Sequence, residues 1–529
     1  MNIVRRLGSC LLVLGTLPVA AQTTGPSSSA PPYMVPIEPQ SGVRLTSILT
    51  VGDAAAEVPY RLVGVPDGLG AMDNGDGTFT LLVNHELAGH VGVVRAHGSR
   101  GAFVSRWTIR KRDLTVLRGE DLAQRLMLWD PDGGYTESTT ELAALCSADL
   151  AAGSAFFDQA SGRGTRERLY LTGEERSDRQ GRGGGRAFAF VVTGDEAGVA
   201  YELPWMGKYA FENVVANPGT GARTVVIGLD DAYNDRDVAE SYGEMYVYAG
   251  DKRDSGSVVV RAGLSGGTLF ALAVQGMPVE PRGPTRGREW RFASVEVPDA
   301  ERMDDQQIED FARLPSNGVT AFRRPEDGAW DPERPSDFYF VTTDLYDVIH
   351  KDPNPTPNLQ GRVPPPGQQG FTRLWRLRFD DPSRPEGGGS IVLLIGGRRG
   401  RGRARDYQMF DNLCIGPGQR LLIQEDTGNT GHLARIWEYR LPTEDTEGRA
   451  SLKRLLRPIA EATPALFGPG PNGAYPQTVL TTNEESSGVI DVSEILGPGH
   501  FLLSFQAHYP VDDEELVQGG QLLLLQLPD

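Results

Sequence analysis

Histidine and cysteine are scarce in this chain, with 7 His and 3 Cys among 529 residues. That argues against a histidine-rich metal site and against a scaffold stapled by many disulfides. No stretch reaches the roughly 18 apolar residues of a membrane span. The sequence holds no Gly-x-Ser-x-Gly elbow and no phosphate-binding Walker loop, so serine-elbow hydrolases and P-loop enzymes lack their signatures. Positive charge is also short: Lys and Arg total 52 against 70 Asp and Glu, a net charge of −18. General binding to nucleic acid or anionic membranes is disfavoured by that balance. A phosphorylated substrate stays open, because bound cations invert the local field.

Helical patterning is sparse too. Asp304–Leu314 places Ile308, Phe311 and Leu314 on one stripe, with acids in its first turn. Glu120–Leu128 and Leu452–Arg457 are lesser candidates, the second ended by Pro458.

What the chain has is turns and short apolar runs. Gly 65 and Pro 37 punctuate strand candidates at Phe103–Arg110, Ala187–Thr193, Met245–Tyr248, Thr268–Val274, Asp337–Thr343, Leu374–Phe379, Ile391–Ile395, Ile436–Leu441, Phe501–Gln506 and Gln521–Leu527. Asp73-Asn74-Gly75-Asp76-Gly77 reads as a hairpin turn and not as an EF-hand loop, which needs ligands at alternate positions. Many short strands imply a sandwich, barrel or propeller. The length allows three domains, but closed all-β folds run long as one unit. Residues 41–529 are expected to form a single domain after a flexible Ser/Pro/Thr-rich lead-in at 22–40. Proline-rich 352–367 and glycine-arginine-rich 396–405 read as insertions, since strands resume soon after each. The apolar run at the very C-terminus is expected to close the fold by pairing near an N-terminal strand, which removes sheet edges.

Residues 1–21 read as a secretory signal peptide: Arg5-Arg6, the apolar run Leu11–Leu17 and the small-residue site Val19-Ala20-Ala21. Secretion or a periplasmic location follows. Cys146 and Cys414 then remain in the mature chain. One disulfide is one reading of the pair; Cys146 as a metal ligand with Cys414 as a buried apolar residue is the other.

The strongest pattern is an apolar run that ends in carboxylates. Thr78–Val83 runs into Asn84-His85-Glu86; Leu169–Gly173 into Glu174-Glu175; Val225–Leu229 into Asp230-Asp231; Leu421–Gln424 into Glu425-Asp426; Val479–Asn483 into Glu484-Glu485. Any one such pair is an ordinary exposed turn, but unpaired acids are costly to bury. The five together suggest one shared site with oxygen ligands for Ca²⁺ or Fe³⁺. Asn84–His90 is not a zinc-protease helix, because that motif needs His at i and i+4 and His90 is at i+5 from His85. The arginine-glycine stretches Arg176–Arg186 and Arg398–Arg405 read as solvated loops.

These stretches in this order resemble the PhoX-type bacterial alkaline phosphatases. The resemblance is carried by Asp67-Gly68-Leu69-Gly70, Asn84-His85-Glu86, Cys146, Thr172-Gly173-Glu174-Glu175, Gly207–Asn213, Asp230-Asp231, Arg324–Gly328, Asp411-Asn412-Leu413 and Glu425-Asp426. It implies an all-β fold, a six-bladed β-propeller with loop and short-helix insertions, around a site that holds iron and calcium. It further implies that Cys146 ligates iron, that Glu174, Glu175, Glu212 and Glu326 bridge or ligate metals, and that Asp230 or Asp231 with Glu425 completes a calcium shell, with Asn84 and Glu86 as further ligands. Lys208 and Arg324 are candidates to grip phosphate oxygens. Two departures from the family pattern stand out: Gly173 precedes the Glu pair, and Ser147-Ala148-Asp149 follows Cys146.

The function so implied is secreted, metal-dependent hydrolysis of a small phosphorylated substrate by a monomer with no membrane segment. Two alternatives share the same architecture: a calcium-dependent lactonase or esterase, and a non-catalytic calcium-stabilised envelope propeller.

Overall fold

The ten strand candidates from Phe103–Arg110 to Gln521–Leu527 all fold as strands, with ends shifted by at most a few residues. A computed structural model of the chain describes residues 22–176, 184–232, 241–281, 288–344, 372–396, 407–428, 432–441, 456–468 and 479–528. The architecture is mostly β. The expected signal peptide, the 352–367 insertion and most of both arginine-glycine stretches lie outside the described residues.

The sheets share one plan. Each starts from an inner strand that pairs antiparallel with the next strand in sequence: Pro66–Asp73 with Thr78–His85, Leu145–Asp149 with Leu169–Glu174, and Phe211–Ala216 with Arg223–Asp230. The plan continues with Pro325–Trp330 on Asp337–Thr342, Phe410–Gly416 on Arg420–Glu425, and Glu484–Glu485 with Val489–Asp491 on His500–Pro510. Each inner strand packs against the next, and Val489–Asp491 returns to Pro66–Asp73, so the inner strands form a closed ring. Two of the units join into one sheet where Glu289–Val297 pairs with Gly389–Ile395. The Asp73–Gly77 turn is the hairpin that the sequence predicts, bringing Asp73 opposite Phe79.

The ends of the chain lock together. Arg44–Thr50 pairs antiparallel with the last strand, Gln518–Gln526. The C-terminal leucines are all buried because that strand is covered on both faces. Leu523 and Leu525 pack with Leu45, Phe501 and Phe505, while Leu522 and Leu524 pack with Ile48, Leu81 and Trp107. Period-2 alternation sends successive side chains to opposite faces, and each face here meets a different core cluster.

Several local expectations are overturned. Glu120–Leu128 is not a helix: Val116–Asp121 and Arg125–Asp130 are strands, held in ladders with Phe103–Arg110 and with Gly134–Ser138. Ladder partners outweigh the weak helical stripe. Leu456 and Arg457 open the strand Leu456–Ala462, and Pro458 sits opposite Trp437 at a register shift, where a missing N–H is tolerated. Val479–Asn483 is not a strand, and Leu480 is exposed. The 22–40 segment is less loose than its composition predicts, since Gln22–Thr24 pairs parallel with Arg44–Thr50 and Met34–Pro36 pairs with Leu456–Ala462. The expected helix does form at Asp305–Arg313, capped by Asp304, whose carboxylate accepts from Gln307 N at 2.8 Å. Its apolar stripe buries Ile308 but leaves Leu314 exposed. Among the described residues no helix is long and apolar enough to cross a membrane.

Removing the last strand would open the ring and strip one wall from two core clusters. Deletion of residues 520–529 is expected to abolish soluble expression and the cooperative melting transition. The milder Leu523→Ala should cost about 2–5 kcal/mol in denaturant unfolding. A truncated protein that melts like the full chain would refute the closure.

Candidate metal centre

The ring places one side chain per inner strand at the same height. Asp67, Cys146, Glu212, Glu326, Asp411 and Glu485 are each the second residue of their strand. In the first five the antiparallel register shifts at that point, between Pro66 and Leu69, Leu145 and Ala148, Phe211 and Asn213, Pro325 and Gly328, and Phe410 and Leu413. A β-bulge turns a side chain that a regular pleat would point elsewhere. Here it recurs around the ring and aims the acids and the thiol together. The strands also run close: a Cβ on Gly68 would stand 2.6 Å from Ala148 N and 2.7 Å from Cys146 O.

A second circle comes from the residue that follows the second strand in five units, and from His508, inside His500–Pro510, in the sixth. Each backbone N–H donates to the carbonyl of the residue ahead of the inner strand: Glu86 to Val65 at 2.9 Å, Glu175 to Ala144 at 2.7 Å, Asp231 to Ala210 at 2.9 Å, Thr343 to Arg324 at 3.1 Å, Asp426 to Met409 at 3.1 Å and His508 to Asn483 at 3.1 Å. Four of the six acceptors, Val65, Ala144, Arg324 and Met409, stand in left-handed backbone, with φ of 51°, 48°, 55° and 45°.

The two circles meet in contiguous groups. Ligand atoms of Asp67, Glu86 and Cys146 lie within 4.8 Å of one another, as do those of Cys146, Glu175 and Glu212, and those of Glu212, Glu326 and Asp411. Shared Cys146 and Glu212 link the groups into one chain. Three of the sequence candidates, Glu86, Glu175 and Glu212, thus join Cys146 directly, and Glu326 joins through Glu212.

The other candidates are placed differently. Glu174 is fully buried against Arg186, with contacts of 2.7 and 2.9 Å, and accepts from Ala143 N at 3.1 Å. Asp230 accepts from Ala210 N at 3.2 Å. Glu425 accepts from Gln408 N at 2.7 Å and Trp437 Nε1 at 2.8 Å, and meets His432 Nε2 at 2.9 Å. Successive residues at a strand end face opposite sides, so in each carboxylate pair one member turns to the ring and the other secures the frame. Asn84 is also a strut. Its Nδ2 donates to Cys146 O at 2.7 Å and Thr172 Oγ1 at 2.9 Å, and its Oδ1 accepts from the Tyr170 hydroxyl at 2.9 Å. His85 stacks on Phe103 and its Nε2 meets Ser105 Oγ at 2.8 Å, which disposes of a zinc-protease reading. Arg324 enters the cluster, donating to both oxygens of Asp231 at 2.9 and 2.6 Å and pairing with Glu326 at 3.2 Å. Lys208 lies between Pro204–Met206 and the Phe211 strand, half-buried, with no ion pair among the described residues.

Cys146 and Cys414 are both free and buried, so the disulfide reading does not hold. Cys146 Sγ lies 3.7 Å from Asp67 Oδ2, whereas Cys414 belongs to an apolar cluster with Leu422 and Phe501. The Gly173 departure has a steric cause: a Cβ there would fall 2.3 Å from that of Phe211. Ser147, the other departure, relays a hydrogen bond from Asn412 Nδ2 to Glu212 Oε1, both legs 2.6 Å.

Asp67 and Asp411 lie in motifs of the family pattern but have no role assigned from sequence, Gln506 only ends the strand candidate Phe501–Gln506, and His508 carries no sequence signal. A usable signal was present: Pro66-Asp67, Phe211-Glu212, Pro325-Glu326 and Phe410-Asp411 share an acid directly after a proline or phenylalanine.

So many buried acids repel one another. Burial, and then Glu485, Glu86 and Glu212, push Asp67 well above the carboxylate range. Burial, then Asp231, does the same for Glu175 and Glu326, and burial, then Glu326, for Asp411. Burial, then Asp67, raises the Cys146 thiol. A cation would reverse each of these shifts. The donor set suits one: Asp67 Oδ1, Asn412 Oδ1 and Gln506 Oε1 are buried acceptors without a hydrogen-bond partner, while Gln506 Nε2 fixes Asp67 at 2.6 Å and Glu86 at 3.0 Å. Carboxylate and amide oxygens fit hard cations, and one thiolate adds affinity for a transition metal.

A mostly β ring around a buried acidic cluster with one thiol defines a phosphatase-type metal enzyme once the comparisons are added. The chain belongs to the alkaline phosphatase PhoX family, whose family model matches residues 169–449. Glu175, Glu212, Asp231, Glu326 and Asp411 fall inside that span; Asp67, Glu86 and Cys146 precede it. The fold is similar to that of Pseudomonas fluorescens PhoX, solved in complex with vanadate, a transition state analogue: the TM-score is 0.59 at 12% identity, covering 92% of this chain and 95% of that one. A Bacteroides ovatus structure, xyloglucan PUL GH43B, aligns over 90% of this chain and 88% of its own at 10% identity, with a TM-score of 0.16 that carries no fold information. No curated protein matches the sequence.

Metal removal should expose the repulsion. Burial, opposed by the Ser147 hydrogen bond, raises Glu212 from 4.5 to about 8. The folded protein then keeps a proton that the unfolded chain releases, so this contribution to stability falls as pH rises from about 4.5 to about 8. His508, which burial alone would lower, is raised by Glu485 and Gln518 from 6.5 to about 9, and its contribution is lost as pH climbs through that interval. Chelator-treated protein is expected to melt lower at pH 9 than at pH 6 by scanning calorimetry, and added Ca²⁺ should raise the melting point more at pH 9. A chelated protein with the same melting point at both pH values would contradict the cluster's electrostatics.

Proposed function

We propose that this protein is an exported, metal-dependent hydrolase that releases phosphate from a small phosphoric ester. The observation that carries this reading is the linked run from Asp67 and Glu86 through Cys146 and Glu212 to Glu326 and Asp411, in a chain of the PhoX family. Cys146, Glu175 and Glu212 would hold iron, and the oxygens around Glu326, Asp411, Asp67 and Glu86 would hold calcium. Bound cations of this kind neutralise phosphate oxygens and activate water as a nucleophile. The chain's own residues do the rest. Arg324, anchored on Asp231 and Glu326, would grip a phosphate oxygen, with Lys208 as a second candidate. Ser147 and Asn412 orient Glu212. Glu174, Asp230 and Glu425 keep the frame.

On this reading the ring of inner strands is that of a six-bladed propeller in one domain over 41–529, acting as a monomer. Residues 1–21 would be the cleaved leader that directs it to the periplasm or medium.

Metal analysis of protein purified from its native compartment, with phosphate release from a chromogenic monoester, tests the proposal. Cys146→Ser should lower iron content and turnover together with little change in melting while calcium remains. Arg324→Ala should cut kcat/KM about a hundredfold, with Arg324→Lys recovering part of it. Lactone opening with calcium alone, or bound calcium without turnover, would replace this function by another.

A further inference from the structure

Nine described residues other than glycine have positive φ, and the only β-branched ones are Val65 at 51° and Val517 at 64°. A β-branched side chain in the left-handed region is a genuine outlier that the surroundings must impose. Both valines line the same cavity of about 180 Å³. Hydrogen bonds hold each in place: Val65 O accepts from Glu86 N at 2.9 Å, Val517 N donates to Asp513 O at 3.1 Å, and Val517 O accepts from Val511 N at 3.0 Å. The backbone is strained at two separate points, and both strains present an isopropyl group to one space.

The remaining walls of the cavity sort into two kinds. Leu87, Ala88 and Val91 are apolar, while Glu86, His508 and Gln518 are polar. The polar members are already engaged: His508 Nδ1 meets Gln518 Oε1 at 2.7 Å, and Glu86 accepts from Gln506 Nε2 at 3.0 Å. Glu86 also stands in the group with Asp67 and Cys146. The cavity therefore opens beside the acidic cluster, with Glu86 as the shared wall.

We infer that this cavity is a leaving-group subsite that selects phosphoric esters of compact apolar alcohols, of the size of one aromatic ring. The inference rests on the phosphatase reading for what lies next door, and on the two strained valines and the apolar walls for the subsite itself. Its volume compares with the roughly 150 Å³ cavity that accepts benzene in an engineered protein. An alcohol bearing several hydroxyls would find apolar walls and polar groups already paired, and would lose its hydration without compensation.

The test compares benzyl phosphate with methyl phosphate, whose leaving groups are similarly basic, using metal-loaded full-length protein. The expected kcat/KM ratio favours benzyl by about tenfold or more. Filling the cavity by Ala88→Phe, or by Val91→Phe should the first variant not fold, is expected to bring that ratio close to one. A wild-type ratio within about twofold of unity, or a ratio unmoved in a folded filled variant, overturns the subsite. If wild type turns over neither ester, the phosphatase reading fails on its own, and calorimetric binding of benzylphosphonate against methylphosphonate decides the cavity. Tighter benzyl binding that is lost in the filled variant supports the subsite, and equal affinities overturn it.

Discussion

One backbone hydrogen bond, repeated around the ring, governs where the chemistry can be. The amide just after the second strand, or near its end in the case of His508, donates to the carbonyl ahead of each inner strand, from Glu86 on Val65 through to His508 on Asn483. It ties the end of one strand to the start of its neighbour, and so brings two functional positions per unit to one height. The bulge that follows turns the inner side chain toward its counterparts in adjacent units. Because the clamp uses only main-chain atoms, the side chains at both positions are free to vary. That is why the same geometry can carry Asp, Glu or Cys in one circle, and Glu, Asp, Thr or His in the other.

The arrangement has an electrostatic cost. Six acids and one thiol are gathered in the cluster, and burial and mutual repulsion favour the protonated form of Asp67, Cys146, Glu175, Glu212, Glu326 and Asp411. Arg324 offsets part of this at Asp231 and Glu326, and His508 part of it at Glu485. The rest of the fold is built to withstand the strain. Leu522 to Leu525 close the ring from two cores at once, and Asn84 ties the Thr78 strand to the backbone of Cys146. A buried cluster this unfavourable without cations is more than a structural feature, since a well-packed apolar centre would be more stable.

The cavity beside Glu86 fits this account of a frame under constraint. Val65 shares its left-handed backbone and its place ahead of an inner strand with Ala144, Arg324 and Met409. Strain at Val517 arises independently in the Asp513–Val517 turn. That the two meet at one apolar space ties the geometry of the ring to selection of the group leaving the site.

The sequence by itself determined the all-β class, nearly every long strand and the closure by the C-terminal leucines, because strand periodicity and turn residues are local signals. It also pointed to Glu175, Glu212, Glu326 and Cys146 through the family resemblance, and to Glu86 through its strand end. Tertiary structure decided what local signals cannot. Glu120–Leu128 became strands because ladder partners far away in sequence supply the hydrogen bonds. Of each carboxylate pair, only one member faces the ring, since which face is inward depends on a register set by the neighbouring strand. Glu485 entered the ring as the start of an inner strand, although the sequence pattern places it at the end of one. Asp67, Asp411, Gln506 and His508 gain their roles only when inner strands hundreds of residues apart are set side by side, and that placement is a property of the closed ring.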